Sequence, residues 1–421
     1  EKPLAFPGWT LPGVITAGAA QTLCNIERVL PGKRIVMIGS GNVGLIVSYQ
    51  LLQGGAEVTA LIEAGNKIGG YAVHAAKIKR AGIPIIMGHT IKSAKGKTCV
   101  EEIEIVALDK DWNHIPGSEK TIEADTICLS VGLNPNTRLA RLAGCRMEYY
   151  PALGGSLPVH DINMESSTNG IFIAGDLAGI EEANTALDEG RIAGVSAAAS
   201  LGYIKEGNFL KLREDIWSRL GSLRDGSLGE KRFAAKSRII KRKEVHTVLP
   251  GKSINASDHI GFYTLKEFQE SPGFPSEDRI LHGAVACIEC AQEIPCNPCV
   301  DSCPSGAITI TDSITNLPFL DQTKCTGCSL CLASCPGQAI FLLNYNYSDN
   351  KASISFPYEY LPFPDPGETV MGINRDGEPV APVEIIKVDN KKRNDHTAII
   401  TVAVDKIFIN DIRSIEKGVL Q

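Results

Sequence analysis

The sequence predicts an α/β fold followed by a small cysteine-rich α+β module and a terminal β module. Three observations lead to this class. A strand, a glycine-rich loop, a helix and a second strand follow one another over residues 34–63. Two cysteine strings, each ending in Cys-Pro, fill residues 287–336. Strand-like apolar segments alternate with polar turns over residues 346–421.

Length and composition describe a globular protein with room for about three domains. The chain has 421 residues, of which 43% are hydrophobic and 21% charged. No apolar run reaches the ~18 residues of a transmembrane helix, so we expect no membrane span. The net charge of −6 argues against nucleic acid as a partner. Nine of the 13 cysteines lie between Cys287 and Cys335, which suits reduced thiols and a cytoplasmic location.

The N-terminal third contains a βαβ dinucleotide-binding fingerprint. An apolar strand at 34–38 leads through the glycine loop into a helix that reaches Leu52, and a second strand at 58–62 ends on Glu63. A carboxylate at that point accepts hydrogen bonds from a ribose 2′-hydroxyl and repels a 2′-phosphate. Glu63 therefore favours NAD over NADP. The alternative is a solvated residue at the end of a strand.

Each glycine of the loop has a distinct task in such a fingerprint. Gly39 makes the tight turn, Gly41 lets a pyrophosphate approach the backbone, and Gly44 lets helix and strand pack closely. The N-terminus of the helix then presents its positive end to the phosphates. The predicted nucleotide contacts of the loop are Gly39, Gly41, Asn42, Val43 and Gly44.

A second nucleotide-related region follows the first. A strand-like run at 125–131 leads into Gly132, and a predicted strand at 171–174 ends in Gly175 and Asp176, before a small-residue helix at 183–200. This order of motifs resembles the second half of the two-dinucleotide flavoproteins. The resemblance implies that Gly132 and Gly175 lie at the flavin site and that Asp176 binds the ribityl hydroxyls of FAD. The alternative to a flavin contact is a buried strand that ends in a turn aspartate with no ligand.

In that architecture the NAD domain is inserted into the FAD domain, whose own glycine motif lies upstream of the insertion. Residues 1–30 resemble the segment just before the insertion, and they contain no such motif. We therefore expect the AMP-binding half of the flavin site either to precede the printed sequence or to lie on another polypeptide.

The two cysteine strings have the spacing of a two-cluster iron–sulfur module. Three closely spaced thiolates hold one [4Fe–4S] cube, while the cysteine before proline reaches across to the other cube. The sequence after each Cys-Pro also repeats, as Ser-Gly-Ala-Ile and as Gly-Gln-Ala-Ile. One predicted ligand set is Cys303, Cys325, Cys328 and Cys331, and the other is Cys290, Cys296, Cys299 and Cys335.

Two alternatives concern these ligands. CxxC pairs also bind structural zinc, but zinc sites do not need two CxxxCP ends. In the first string the upstream ligand is either Cys290 or Cys287, and we favour Cys290 because it leaves the shorter loop before Cys296. The spacing does not decide between them.

The remaining segments carry no recognisable chemistry. An amphipathic helix is predicted at 209–220, and we interpret the basic run at 236–243 as a solvated linker or docking surface. No histidine or cysteine constellation suggests a catalytic residue, and none is assigned. The expected segments are FAD-domain pieces at 1–30 and 137–202, an NAD-binding Rossmann-like domain at 31–136, a helical linker at 203–275, a two-cluster ferredoxin domain at 276–345 and a small β module at 346–421.

The whole order of modules resembles one family. These are the NAD/FAD-dependent α-type subunits of dye-linked proline dehydrogenases, opine or hydroxyproline oxidases and sarcosine oxidases, with a hydrogen cyanide synthase subunit as a relative. Residues 1–21, 168–179 and 292–299 carry the likeness. It implies a two-dinucleotide-binding flavoprotein fold that lacks the N-terminal part of its FAD domain, followed by a 2[4Fe–4S] ferredoxin-like module.

The resemblance also implies a function. The chain would be an electron-transfer subunit that holds two [4Fe–4S] clusters, NAD and a shared FAD. Its main partner would be a second flavoprotein dehydrogenase subunit, and a small iron–sulfur subunit or a ferredoxin is a further candidate. Two other hypotheses stay open: a self-sufficient NADH:ferredoxin-type oxidoreductase, and a non-catalytic scaffold subunit with a structural adenine nucleotide.

Overall fold

The computed structural model describes residues 1–226, 229–240, 262–395 and 397–417, without the side chains of 230–232. Its N-terminal part holds ten strands and seven α-helices. The strands are β1 (Val14–Thr16), β2 (Arg34–Ile38), β3 (Glu57–Ile62), β4 (Ile85–Ile86), β5 (His89–Lys95), β6 (Glu102–Ala107), β7 (Lys120–Glu123), β8 (Thr126–Leu129), β9 (Met147–Tyr150) and β10 (Gly155–Pro158). The helices are α1 (Ala17–Thr22), α2 (Asn42–Gln53), α3 (Ala72–Arg80), α4 (Arg138–Leu142), α5 (Ala183–Ser200), α6 (Glu206–Leu223) and α7 (Glu230–Ile239).

The C-terminal part holds four short helices and nine strands among the described residues. The helices are α8 (Leu265–Gln269), α9 (Glu277–Ile280), α10 (Pro298–Asp301) and α11 (Leu330–Ser334). The strands are β11 (Val285–Ile288), β12 (Ile308–Thr309), β13 (Phe319–Leu320), β14 (Ile340–Asn344), β15 (Lys351–Tyr358), β16 (Thr369–Ile373), β17 (Pro379–Asp389), β18 (Ala398–Asp405) and β19 (Ser414–Ile415). No described helix is long and apolar enough to cross a membrane.

The expected βαβ unit forms the centre of a five-stranded parallel sheet in the order β1-β8-β2-β3-β4. Ile38 pairs with both Ile62 and Leu129, so β2, β3 and β8 end at one edge of the sheet. This edge carries the glycine loop and Glu63 together, as parallel strands require. Strand β1 lies in the segment expected to belong to the FAD domain, yet it pairs with β8 in this sheet.

Helix α2 packs closely on the sheet because two glycines permit it. A Cβ on Gly44 would lie 2.1 Å from the carbonyl oxygen of Gly39. Gly39 itself has a φ of +103°, which favours glycine. Helices α2 and α3 and strands β2 and β3 share one buried apolar cluster, and the antiparallel sheet β5-β6-β7 covers the other face.

The predicted strand at 171–174 does not form. Its only bridge among the described residues joins Phe172 to Glu165, and the segment passes directly into a 3-10 turn at Gly175–Ala178. A strand needs a continuous ladder of backbone hydrogen bonds, and the parallel sheet is built from residues 14–129. The prediction of a strand here was therefore wrong, although the turn that follows is present.

The cysteine-rich segment and the β tail share a seven-stranded sheet, while β12 and β13 form a separate antiparallel pair. Seven strands lie in the order β11-β14-β15-β18-β17-β16-β19, and β11 and β14 come from the cysteine-rich segment. Strand β14 joins the two segments, because it pairs with β11 on one edge and with β15 on the other. Its residues Ile340, Phe341 and Leu343 are buried. The sheet thus crosses the boundary expected at residue 345.

Candidate cofactor sites

The glycine loop leaves an open approach to its backbone. A Cβ built on Gly41 meets no atom within 4 Å, whereas one on Gly39 would lie 2.2 Å from the carbonyl oxygen of Ser130. Asn42 and Val43 follow in the first turn of α2, where backbone N–H groups have no partner inside the helix. The loop therefore has the free surface and the donors that a pyrophosphate needs.

The Glu63 carboxylate lies against this loop instead of extending into solvent. It accepts hydrogen bonds from the Ser40 backbone N–H at 2.8 Å and from the Gly65 backbone N–H at 2.7 Å, and the Ser40 hydroxyl donates to it at 2.5 Å. Its position beside the loop is compatible with contact to the ribose of a bound dinucleotide.

A glycine pair after β3 ties the loop to helix α3. The backbone N–H of Gly70 donates to the Ser40 carbonyl at 2.8 Å, and that of Tyr71 donates to the Asn42 side-chain oxygen at 2.7 Å. A Cβ on Gly70 would lie 2.8 Å from the Asn42 nitrogen, so only glycine fits there. Our sequence analysis missed this contact, and the Gly69-Gly70 pair was the available signal.

The candidate flavin contacts lie on two turns. Gly132 has a φ of +106° and its carbonyl accepts the Lys2 backbone N–H at 2.8 Å. Gly175 has a φ of +63°, and its backbone N–H donates to Glu189 at 3.0 Å. Asp176 is exposed, and no side-chain hydrogen bond joins its carboxylate to another described residue. A carboxylate in this state is available to a ligand's hydroxyl groups.

A buried ionic network supports the Gly175 turn. Glu189 accepts from Arg224 at 2.7 Å and from Lys236 at 2.6 Å, and Glu181 binds the same two cations at 2.6 and 3.4 Å. All four side chains are less than 5% exposed. Burial alone would raise the pKa of Glu181, but the two cations outweigh it and lower that pKa.

This network corrects one interpretation made from the sequence. Lys236, assigned to a solvated basic run, has a side chain only 2% exposed. The charge pattern misled because two carboxylates on a distant part of the chain compensate the lysine. Residues 241–243 of the run lie outside the described residues.

The cysteines gather into two neighbouring groups of four. Burial raises the pKa of the Cys290 thiol, and nearby Cys335, Cys296 and Cys299 raise it further. The second group is Cys303, Cys325, Cys328 and Cys331, which together line one cavity.

The two groups lie side by side. Burial also raises the pKa of the Cys331 thiol, and the largest further contributions come from Cys325 and Cys328. Cys303 and Cys299 contribute less, and Cys299 belongs to the first group.

The repeat seen in the sequence is also a repeat of structure. The Ala307 backbone N–H donates to the Cys303 sulfur at 3.3 Å, and the Ala339 N–H donates to the Cys335 sulfur at 3.4 Å. In both bonds the donor lies four residues after the cysteine of a Cys-Pro pair. Hydrogen bonds to sulfur are a common feature of iron–sulfur ligands and help to set their potentials.

Cys287 has different neighbours from Cys290. It is fully buried in β11, where burial raises the pKa of its thiol to about 12. Glu289, Arg413 and Arg375 are the charged groups that act most strongly on this thiol. Cys290 is the one that faces the first group. Among the described residues, no group of three or more His, Cys, Asp or Glu side chains has the arrangement of a single-ion site.

The first cysteine group lies against the dinucleotide fold. The Ala72 backbone N–H, at the start of α3, donates to the Gln292 side chain at 2.8 Å, and Gln292 lies between Cys290 and Cys296. Further along α3, Lys77 donates to the Pro336 carbonyl at 3.3 Å. Helix α3 therefore contacts the cysteine loop (290–296), and Tyr71, just before the helix, contacts the glycine loop.

Comparison with known proteins finds separate matches for the dinucleotide fold and for the cysteine-rich segment. Residues 6–190 match the family model "Pyridine nucleotide-disulphide oxidoreductase", and residues 318–341 match "4Fe-4S binding domain". An opine oxidase subunit of Rhizobium meliloti is 33% identical over 48% of this chain and 47% of that protein. Hydrogen cyanide synthase subunit HcnB of Pseudomonas aeruginosa is 26% identical over 59% of this chain and 57% of that protein.

Weaker similarities extend to a further oxidase subunit and to solved structures. The alpha subunit of sarcosine oxidase from a Corynebacterium species is 23% identical over 48% of this chain and 20% of that protein. Among solved structures, T. acidophilum thioredoxin reductase has 24% identity and a TM-score of 0.40, covering 47% of this chain and 62% of that one. The chain spans about half the length of the first two relatives.

The resemblance and the fold class expected from the sequence are thereby confirmed. Residues 6–190 are thus similar to the pyridine nucleotide-disulphide oxidoreductases, and the same chain continues into a segment that matches a 4Fe-4S binding domain.

Proposed function

We propose that this chain is the electron-transfer subunit of a multi-subunit amino-acid or amine dehydrogenase, in which it relays electrons between a flavin, NAD(H) and two [4Fe–4S] clusters. The observation that carries the proposal is the pair of adjacent four-thiol groups, one of them packed on a dinucleotide-binding fold. A nicotinamide exchanges a hydride, a cubane cluster takes one electron, and a flavin can do both.

Two ligand sets follow from this proposal. Both groups consist only of thiols, the donors that iron–sulfur clusters use, and each has a Cys-Pro cysteine with an N–H···S bond. Cys290 completes the first set because Cys287 faces Arg413 instead. The proposed sets are Cys290, Cys296, Cys299 and Cys335 for the first cluster, and Cys303, Cys325, Cys328 and Cys331 for the second.

The nucleotide contacts rest on the open loop. Gly41 leaves space for a pyrophosphate, and the first turn of α2, Asn42 and Val43, supplies N–H donors. Glu63 would orient the ribose and select NAD over NADP by repelling a 2′-phosphate. For FAD, the free carboxylate of Asp176 would hold ribityl hydroxyls, and Glu189 would fix the turn at Gly175.

The partner and the location are parts of the same proposal. The names of the two more similar relatives describe subunits, of an opine oxidase and of a hydrogen cyanide synthase. We infer a second flavoprotein subunit that oxidises an amine or imino acid and exchanges electrons with this chain. All 13 cysteines are free in the structure, which suits the reducing cytoplasm.

Anaerobic addition of NADH to the isolated chain tests the function against its alternatives. The subunit hypothesis predicts co-purification of another flavoprotein and slow or no bleaching of the chain alone. Rapid bleaching of flavin and clusters by NADH without any partner would instead establish a self-sufficient oxidoreductase. A tightly held nucleotide with no reaction toward NADH would establish a scaffold.

The Gly41→Val variant tests whether the glycine loop binds the nucleotide. Its side chain enters space that is empty in the structure, so the fold should persist while the pyrophosphate is excluded. We expect NADH binding to be lost at unchanged iron content. Gly221→Ala on α6, where a Cβ also meets no atom, is the matched control and should bind NADH normally. Unchanged binding by Gly41→Val would refute the assignment of the loop.

A further inference from the structure

Helix α3 brings two cations from the dinucleotide fold to the first cysteine group. The Lys77 ammonium donates to the Pro336 carbonyl at 3.3 Å, and the Arg80 guanidinium donates to the Gln338 carbonyl at 2.8 Å. These carbonyls flank the turn that follows Cys335. Both cations are therefore bonded to the backbone of the Cys335 turn.

Neither cation forms a direct ion pair among the described residues, and the carboxylates of Glu359 and Glu289 act on Lys77 and Arg80, respectively, only at longer range. Their other partners are aromatic rings: the Lys77 nitrogen lies 4.0 Å from the Tyr49 ring centre, and the Arg80 guanidinium lies 5.6 Å from that of Phe341. Lys77 is 9% exposed, so water screens its charge poorly.

A second source of positive charge surrounds Glu289, the residue before Cys290. Glu289 is held by Arg375 at 2.6 Å and by Arg413 at 2.7 Å, with all three groups largely buried. One carboxylate between two guanidinium groups leaves a net positive charge. Arg413 also keeps one buried nitrogen without a hydrogen-bond partner.

The second cysteine group has a weaker positive environment. The Cys303 thiol is contacted by the Ser305 hydroxyl and by backbone N–H groups. Arg279 reaches this group through a 3.0 Å bond to the Cys325 carbonyl, and its guanidinium also donates to the carbonyls of Gly283 and Ala284.

Reduction adds one negative charge to a cluster, and a buried cation stabilises that charge. Cluster potentials depend on net charge, hydrogen bonds to sulfur and solvent exposure. We propose that Lys77 and Arg80 raise the reduction potential of the cluster held by Cys290, Cys296, Cys299 and Cys335 above that of its neighbour. The first electron then resides on the cluster beside the dinucleotide fold. This inference rests on the proposed ligand sets.

The test is an anaerobic redox titration of the holoprotein with dithionite and mediators, followed by electron paramagnetic resonance. Wild type should show two cubane potentials, and Lys77→Gln or Arg80→Gln should move the higher one downward while the lower one stays fixed. Lys79→Gln is the matched control on the same helix, because Lys79 pairs with Asp376 at 2.8 Å away from the cysteines. It should leave both potentials unchanged.

Three further variants assign the signals and keep the test decisive. Cys328→Ser removes a ligand of the second cluster and should leave the higher-potential signal alone. Lys77→Arg retains the charge and should retain the wild-type potential, which a merely structural role would not require. If Lys77→Gln does not fold, Lys77→Met, which keeps the apolar stem, takes its place.

Failure of the inference differs from failure of the proposed function. If both clusters are present and neither reduction potential changes in Lys77→Gln or in Arg80→Gln, the inference is wrong and the proposed function still stands. Loss of the higher-potential signal in Cys328→Ser would overturn the inference in the same way. A wild-type protein with only one cluster would overturn the function itself.

Discussion

Cys290 and Cys287 are the sharpest pair of positions on which to test the ligand assignment. Two cubes need about eight iron atoms and eight sulfides per chain. Cys290 faces Cys296, Cys299 and Cys335, so Cys290→Ser should remove one cube and halve both counts. Conversion of that cube to a three-iron form would leave about seven iron atoms instead.

Cys287→Ser should leave both cubes intact at a small cost in stability. The Cys287 side chain is fully buried, and an unbonded buried hydroxyl costs about 1–3 kcal/mol. The unpartnered nitrogen of Arg413 is a donor beside it and offsets part of that loss, so we expect about 1 kcal/mol of lost unfolding free energy.

Iron and acid-labile sulfide analysis of both variants, purified anaerobically, gives the result directly. Denaturant unfolding of the same samples separates loss of ligand from loss of fold. The assignment is refuted if Cys287→Ser loses a cube and Cys290→Ser keeps two. Zinc in place of iron in the wild-type protein would refute the cluster chemistry as a whole.

Three other predictions concern the nucleotide, the flavin and the fold. Glu63→Gln should narrow the preference for NADH over NADPH, measured by calorimetric titration, because the repelling charge is gone; tighter NADPH binding by wild type would contradict this. Asp176→Ala should lower flavin content in the complex at unchanged iron, and unchanged flavin would remove Asp176 from the site. Glu189→Gln should cost about 3–5 kcal/mol in denaturant unfolding, since it strands part of the charge on Lys236. The exposed Glu214→Gln on α6 is the control, and an equal effect of the two would contradict the network.

The dinucleotide fold could be predicted because its determinants are local. Gly39 and Gly44 are required by a turn and a close approach that lie within six residues, and Glu63 ends the next strand. The helix at 183–200 was likewise predicted with its observed limits. Patterns of this kind act before any distant contact forms.

What the sequence could not disclose depends on distant parts of the chain. The burial of Lys236 requires Glu181 and Glu189, which lie about fifty residues earlier and carry no spacing signal. The expected strand at 171–174 failed because strand formation depends on a partner, which periodicity does not report. The contact between α3 and the cysteine loop joins residues more than 200 apart, as in the bond from Ala72 to Gln292.

The most direct test of the central claim is the native mass of the untagged complex from its source. The proposed function predicts a stable hetero-oligomer that contains this chain, with its two clusters, and a second flavoprotein subunit that oxidises an amine or imino acid. A homo-oligomer of this chain alone, whose clusters NADH reduces fully, would contradict the subunit role and establish a self-sufficient oxidoreductase.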